Sequence, residues 1–386
     1  MNKIEQLIKE LCPNAVEHKS IGEVCNICRG RVMSKNYISE NKGEYPVYSS
    51  QTENNGELGS ISTFDFDGEY LSWTTDGANA GTVFYRNGKF SVTNVCGLLK
   101  IKHEGLLTKY LYYTLSAEAP THVNNGMGNP KLMSNIMAKI TIPIPPLPVQ
   151  EEIVRILDAF TELTAELTAE LTARRKQYEY YRDRMLIFDE NHPFAERLKE
   201  LCPDGVERKT IRETVGVNRG KRLTKNDLSE DGAYEVYHGS KDNILGKYRA
   251  YNVPAETTIV INTGGIGGVK YLEYPFWCSD GSFWLGQVDY IDNKYLYYCL
   301  SGYENYFVSQ KRVGGVPTID RSVVETFTIP VPPLSIQEEI VRILDQFESL
   351  CNDITSGLPA EIEARQKQYE YYRDKLLSFD GVDYAE

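Results

Sequence analysis

The sequence predicts an α+β protein: two globular domains separated by two long helices packed as an antiparallel coiled coil, with an internal pseudo-two-fold repeat. Three observations predict it. QEEIVRILD over Gln150–Asp158 recurs letter for letter over Gln337–Asp345, and KQYEYYRD over Lys176–Asp183 recurs over Lys367–Asp374. Both repeats sit in segments whose apolar residues recur at helical spacing. The stretches outside them, 1–149 and 191–336, share a thin frame, differ in detail, and carry short β-prone runs between Gly/Asn turns.

At 386 residues the chain exceeds ordinary single-domain size, so each half can bury its own core. Hydrophobic content of 41% and charged content of 25% are usual for soluble globular protein. No apolar run is long enough to span a bilayer, and MNKIEQLIKE lacks the apolar region of a signal peptide. A cytoplasmic location is the expectation. Eight cysteines suit that compartment. Cys12 and Cys202 occupy matching LCP turns and are expected to be buried; Cys25-Asn-Ile-Cys28 has no second ligand pair, so thiols rather than a zinc site are expected.

Residues 1–149 form the first domain. After Leu7–Val24 comes Arg29-Gly30, then Tyr45-Pro-Val-Tyr48 as a short strand and the polar turn Ser49–Gly56. Leu71-Ser-Trp-Thr-Thr enters the small-residue loop Asp76–Gly81, and Asn129-Pro130-Lys131 precedes a proline-rich lead. Pro143, Pro145, Pro146 and Pro148 make that lead stiff, extended and non-helical.

The central helix, 150–190, follows. Ile153, Ile156, Leu157, Phe160, Leu163, Leu167 and Leu171 form one stripe, and Thr-Ala-Glu-Leu occurs in tandem at 164–171. If 150–188 is all helical the rod is ~58 Å long. The second domain, 191–336, repeats the frame: Arg197–Thr214 matches Leu7–Val24, then come Arg219-Gly220, Tyr234-Glu-Val-Tyr237, the turn His238–Asn243, and Ile259–Thr263 entering Gly264–Gly268. The C-terminal helix, 337–386, carries Ile340, Ile343, Leu344, Phe347 and Leu350, and Gly357 with Pro359 predicts a kink or break near 356–359. The two helices either pair within one chain or join two chains; their presence in one polypeptide favours the former.

Net charge of −12 is unevenly placed. Residues 1–150 are neutral and 191–336 are −1, whereas 151–190 carry −4 and 337–386 carry −7. The acidic repeats make poor phosphate binders and good protein-docking surfaces. Basic residues gather after each Arg-Gly: Arg29, Arg31 and Lys35 in the first domain, Arg219, Lys221, Arg222 and Lys225 in the second, with Lys311 and Arg312 as a smaller pair. Such clusters are either solvated faces or phosphate contacts. Gln51, Asn54, Asn79 and Asn129 have side chains that can pair with adenine edges, as Arg can with guanine. The glycine loops are either tight turns or places where backbone approaches DNA closely; Gly264–Gly268 lacks the GK[ST] ending of a P-loop.

The IPIPPLPVQEEIVRILD and KQYEYYRD segments with their second copies, the Thr-Ala-Glu-Leu tetrads, the Tyr-x-Val-Tyr turns and Asp76–Gly81 resemble the specificity (S) subunit of Type I restriction–modification systems, over nearly the whole chain. The resemblance implies that 1–149 and 191–336 are target recognition domains reading two halves of an asymmetric, bipartite DNA site. It implies that 150–190 and 337–386 set the spacer and dock two methyltransferase (M) subunits, with restriction/motor (R) subunits joining for cleavage. It adds Ser49, Ser50, Lys131, His238, Ser240 and Lys241 to the candidate DNA contacts. It implies no cofactor, no metal and no catalysis by this chain, the adenine-N6 methylation and cleavage belonging to the partners. No [NDS]PP[YFW] sequence is present, and the five histidines lack metal-ligand spacing. Two other readings stand beside it: a protein-only coiled-coil scaffold binding peptide partners, and an enzyme acting alone on DNA.

Overall fold

The computed structural model describes residues 3–12, 16–126, 128–312, 314–352 and 357–379. It divides into two compact units: residues 1–166 with 362–386, and residues 167–361.

In the first unit, α1 (Lys3–Leu11) leads to β1 (Glu17–Ser20), β2 (Cys25–Arg29), β3 (Lys42–Tyr48), β4 (Glu57–Ile61), β5 (Phe66–Asp67), β6 (Tyr70–Thr74), β7 (Val83–Arg86), β8 (Lys89–Val92) and β9 (Cys96–Ile101). Then come α2 (Thr108–Glu118), β10 (Thr141–Ile144) and the long helix α3 (Leu147–Met185). Two four-stranded sheets run in the orders β2-β9-β6-β7 and β4-β3-β8-β5. The first packs α2 over a core holding Trp73, Tyr110 and Leu111, all fully buried; the Trp73 indole donates to the Leu132 carbonyl at 3.0 Å.

The second unit repeats the plan: α4 (Ala195–Leu201), β11 (Glu207–Thr210), β12 (Val217–Arg219), β13 (Tyr234–Tyr237), β14 (Gly246–Tyr248), β15 (Thr257–Ile261), β16 (Val269–Leu272), β17 (Trp277–Cys278) and β18 (Ser282–Leu285). α5 (Asn293–Ser301), β19 (Thr328–Val331) and α6 (Leu334–Asn352) follow, and α7 (Leu358–Leu377) returns to the first unit. Its sheets are β12-β18-β15-β16 and β14-β13-β17.

Part of the proline lead is a strand. β10 pairs antiparallel with β1 from Glu17↔Ile144 to Ser20↔Thr141, and β19 pairs with β11 from Glu207↔Val331 to Thr210↔Thr328. Proline is tolerated because each partner is a two-stranded edge. The long helix begins at Leu147, three residues before the expected start, since Pro148 in a first turn costs no intrahelical bond. It ends at Met185 after 39 residues, about 58 Å of rise. The tandem threonines fit inside it; Thr172 donates to the Thr168 carbonyl at 2.9 Å.

Within the first unit the beginning of α3 packs against the end of α7. Phe160 stacks on Tyr372 at 5.5 Å, and Ile153 and Leu157 share a core with Leu376 and Phe379, so the helices run antiparallel. Within the second unit the end of α3 packs against α6. Tyr181 stacks on Phe347 at 5.2 Å, and Tyr178 and Leu171 join the cluster that holds Leu344 and Cys351. Each fully buried Ile or Leu contributes about 1.5–3 kcal/mol. The stripe is deepest at Ile153 and Leu157; Leu163, Leu167 and Leu171 are half-buried. The break expected from Gly357 and Pro359 separates α6 from α7, and residues 353–356 lie outside the described residues.

Cys12 is buried, but Cys202 is only half-buried because it closes α4 beside an open cleft. Cys25 is buried and Cys28 exposed, three positions apart on β2 and hence on opposite faces. Burial pushes the Cys25 thiol up to about 12. Among the described residues no helix is long and apolar enough to cross a membrane.

Candidate nucleic-acid interface

In the first unit three loops separated in sequence meet at one place. Ser50 Oγ lies 3.2 Å from Asp76 Oδ1, Asn79 Nδ2 donates to Thr52 Oγ1 at 3.1 Å, and Gly77 N donates to the Pro130 carbonyl at 3.1 Å. An isolated bridge joins Asp76 to Lys131. The turn at 49–56, the loop at 76–81 and residues 124, 130 and 131 therefore form a single surface. Ser49 bonds Thr93 at 2.9 Å, and Thr93 is bridged to Arg31, which brings the end of β2 to the same surface.

The second unit builds the same junction from different residues. Gly265 N donates to the Gly239 carbonyl at 2.7 Å, joining the turn at 238–243 to the glycine loop. Thr263 is bridged to Thr318, and Thr318 to Arg312, as Asp76 is to Lys131 and Lys131 to Asn124. Gly264 has φ +73 and Gly267 φ +82, so this loop is a tight turn that needs glycine.

The glycine of each Arg-Gly pair has a packing reason. A Cβ on Gly30 would lie 1.7 Å from the Val92 carbonyl oxygen, and one on Gly220 would lie 2.0 Å from that of Ser279. Only glycine lets the end of β2, or of β12, pass this close to the backbone beneath, and the basic residues ride on that approach.

The individual side chains differ in what they have left to offer. Arg29 donates to Ser134 Oγ at 3.3 Å, and Arg31 pairs with Asp65 at 3.0 Å and bonds Tyr37. Lys241 is held by Glu304 at 2.7 Å, and Arg312 by Asp320. Lys35, Lys131, Arg219, Lys221, Arg222 and Lys311 pair with no carboxylate among the described residues, and all of them are exposed. Gln51 spends its amide on the Glu57 carbonyl at 2.5 Å, whereas Asn129 is exposed. Asn54 stands in a left-handed turn with φ 48. Ser240 Oγ accepts from Asn243 N at 3.0 Å, and His238 Nδ1 accepts from Gly281 N at 3.2 Å beside Asp280. Lys225 starts a short 3₁₀ turn at the edge of this region.

Two domains of one plan recur in known proteins. The sequence profile described as Type I restriction modification DNA specificity domain matches residues 13–174 and again 203–364. The chain belongs to this family. S.MpnORF507P of Mycoplasma pneumoniae, named as a type I specificity subunit, is 34% identical over 361 residues, covering 93% of this chain and 96% of that one. The specificity subunit of the type I restriction enzyme MpnII, from the same organism, is 48% identical over 167 residues, 42% of this chain and 50% of that one. The solved S subunit of a Type I restriction–modification system from M. genitalium shares the fold at TM-score 0.65 and 18% identity, over 95% of this chain and 97% of that one. The family's role is DNA recognition, and the relatives are named as specificity subunits.

Sequence reasoning missed a matched pair of residue sets that tie helix to domain. Lys109-Tyr-Leu-Tyr-Tyr113 on α2 recurs as Lys294-Tyr-Leu-Tyr-Tyr298 on α5. Tyr113 and Lys109 bind Asp158 at 2.7 and 2.5 Å; Tyr298 and Lys294 bind Asp345 at 2.5 and 3.0 Å. Tyr110 donates to the Pro143 carbonyl and Tyr295 to that of Pro330, both at 3.1 Å. The exact five-letter repeat was the signal.

Proposed function

We propose that this chain is the target-reading subunit of a Type I restriction–modification complex, in which residues 1–149 and 191–336 read two unlike half-sites of duplex DNA. The observation that carries this is the pair of three-loop junctions, built on one framework at matching places but from different side chains. A shared framework with differing loops suits two targets of one chemical class. Arg219, Lys221, Arg222 and Lys35 are proposed as phosphate contacts, with Asn129 and Asn79 nearest to a base-reading role. The domains are close to neutral, so the isolated chain is expected to bind DNA weakly, with partners supplying much of the positive clamp.

Residues 150–190 and 337–386 are proposed to set the unread spacer and to dock two methyltransferase subunits. Support for one kind of partner bound twice lies in the identical residues left exposed: Glu151 and Arg155 match Glu338 and Arg342, and Tyr180, 65% exposed, matches Tyr371, 62% exposed. Motor/nuclease subunits join the same assembly, and the chain works where chromosomal DNA is, in the cytoplasm. One more Thr-Ala-Glu-Leu tetrad within 164–171 would add ~6 Å of helix and lengthen the spacer by one or two base pairs.

The test is reconstitution with the methyltransferase partner. Native mass measurement is expected to give two methyltransferase copies per chain, and the complex to select one bipartite duplex from a random pool. Assembly without any duplex selection would favour a protein-only scaffold instead.

A further inference from the structure

Arg86 ends β7 in the first domain and is buried, with 3% of its surface exposed. Its Nε donates to Ser72 Oγ at 2.9 Å and its Nη2 to the Asn55 carbonyl at 2.8 Å. The guanidinium lies 3.6 Å from the centre of the Tyr48 ring and 4.5 Å from that of Phe84. Nη1 is buried with no hydrogen-bond partner, and no carboxylate among the described residues pairs with the charge.

The second domain shows what the fold itself needs here. Leu132 N donates to the Thr75 carbonyl and Ile319 N to the Asn262 carbonyl, both at 2.9 Å, which makes Thr75 equivalent to Asn262. Counting back along β6 and β15, Tyr70 is equivalent to Thr257; Tyr70 pairs with Arg86, and Thr257 pairs with Leu272. The same position is thus filled by a leucine, 1% exposed, in a domain of the same plan. A buried unpaired charge costs more than an apolar side chain of similar bulk, so the arginine is not there for the core.

What it adds is a grip on the turn at 53–56. That turn has three successive left-handed residues, Asn54 at φ 48, Asn55 at φ 53 and Gly56 at φ 79, an arrangement that costs backbone strain. Arg86 bonds the carbonyl of the middle one, within the turn that enters the loop junction. We infer that Arg86 is a specificity-positioning residue of the first domain: it fixes the 53–56 turn in the shape that reads the first half-site, without itself touching DNA. The inference rests on the DNA-reading role proposed above.

The test borrows the second domain's residue. Arg86→Leu and Arg86→Lys are assembled with the methyltransferase partner, and binding is measured on duplexes carrying the mapped site with single changes in either half. Arg86→Leu is expected to fold, to discriminate the second half-site as the unaltered chain does, and to lose at least tenfold discrimination at the first. Arg86→Lys, which can still donate to the Asn55 carbonyl, is expected to regain part of it. Undiminished first-half discrimination in Arg86→Leu overturns the inference, and so does a collapse of the first unit in thermal melting, since the arginine would then serve the core. An unaltered chain that discriminates neither half would overturn the DNA-reading role itself.

Discussion

Gln150 and Gln337, the first letters of the two identical nonapeptides, make the same set of hydrogen bonds to their own domains. Gln150 Nε2 donates to the carbonyls of Gly105 and Pro145 at 2.8 and 2.7 Å, and its Oε1 accepts from Leu107 N at 2.9 Å. Gln337 Nε2 donates to those of Tyr290 and Pro332 at 3.0 and 2.8 Å, and its Oε1 accepts from Asp292 N at 3.0 Å. Both side chains are fully buried. Much of the repeat's identity therefore belongs to fixing each helix on its domain, and only the exposed remainder is free for a partner.

Gln150→Ala is expected to strand buried polar groups and destabilise the first unit by about 2–4 kcal/mol. Gln337→Ala should do the same to the second. Urea unfolding followed separately for each unit checks this; one shared, small shift in both variants would mean that the bonds carry little.

Gly30→Ala should displace the end of β2 from Val92 and cost about 2–4 kcal/mol, as forced backbone clashes do. In reconstituted complexes it should also weaken reading of the first half-site alone. Gly220→Ala is the mirror experiment for the second half-site, and duplex binding with each half altered in turn separates the two.

Alanine at Arg219, Lys221 and Arg222 should lower DNA affinity evenly across sequences. The slope of log affinity against log salt should fall by roughly 0.9 for each phosphate that is no longer neutralised. Lys241→Ala and Arg312→Ala, whose charges already pair with Glu304 and Asp320, should change the slope less. Titration at several salt concentrations decides between them.

His192 sits just past the end of α3, with Nε2 donating to the Met185 carbonyl at 3.0 Å and Nδ1 accepting from Phe194 N at 3.0 Å. Burial holds its pKa below the usual imidazole value. A folded pKa below the unfolded one means that this contribution is complete above the unfolded value, near pH 6.5, and is lost as pH falls through that range toward the folded value. Stability of the second unit should drop over that window in the unaltered chain and less in His192→Gln. Parallel pH profiles of thermal melting check it.

The helices, the repeat and the division into unlike domains were legible because each rests on local letters: the spacing of Ile153, Leu157 and Phe160, and exact duplication. The loop junctions were legible only in part. Gln51 and Lys241 have the right chemistry for DNA, yet the fold spends them on Glu57 and Glu304, which are pairings that no local pattern announces. Arg86 was invisible for a different reason. Its meaning comes from equivalence with Leu272, and the two domains have diverged too far for that register to be read before the strands are paired.

The most direct measurement is a genome-wide map of methylated adenines in cells that carry the methyltransferase partner with and without this chain. The account predicts methylation that depends on the chain and falls at one bipartite motif whose two halves differ. Methylation unchanged by removing the chain, or a palindromic motif with identical halves, would contradict it.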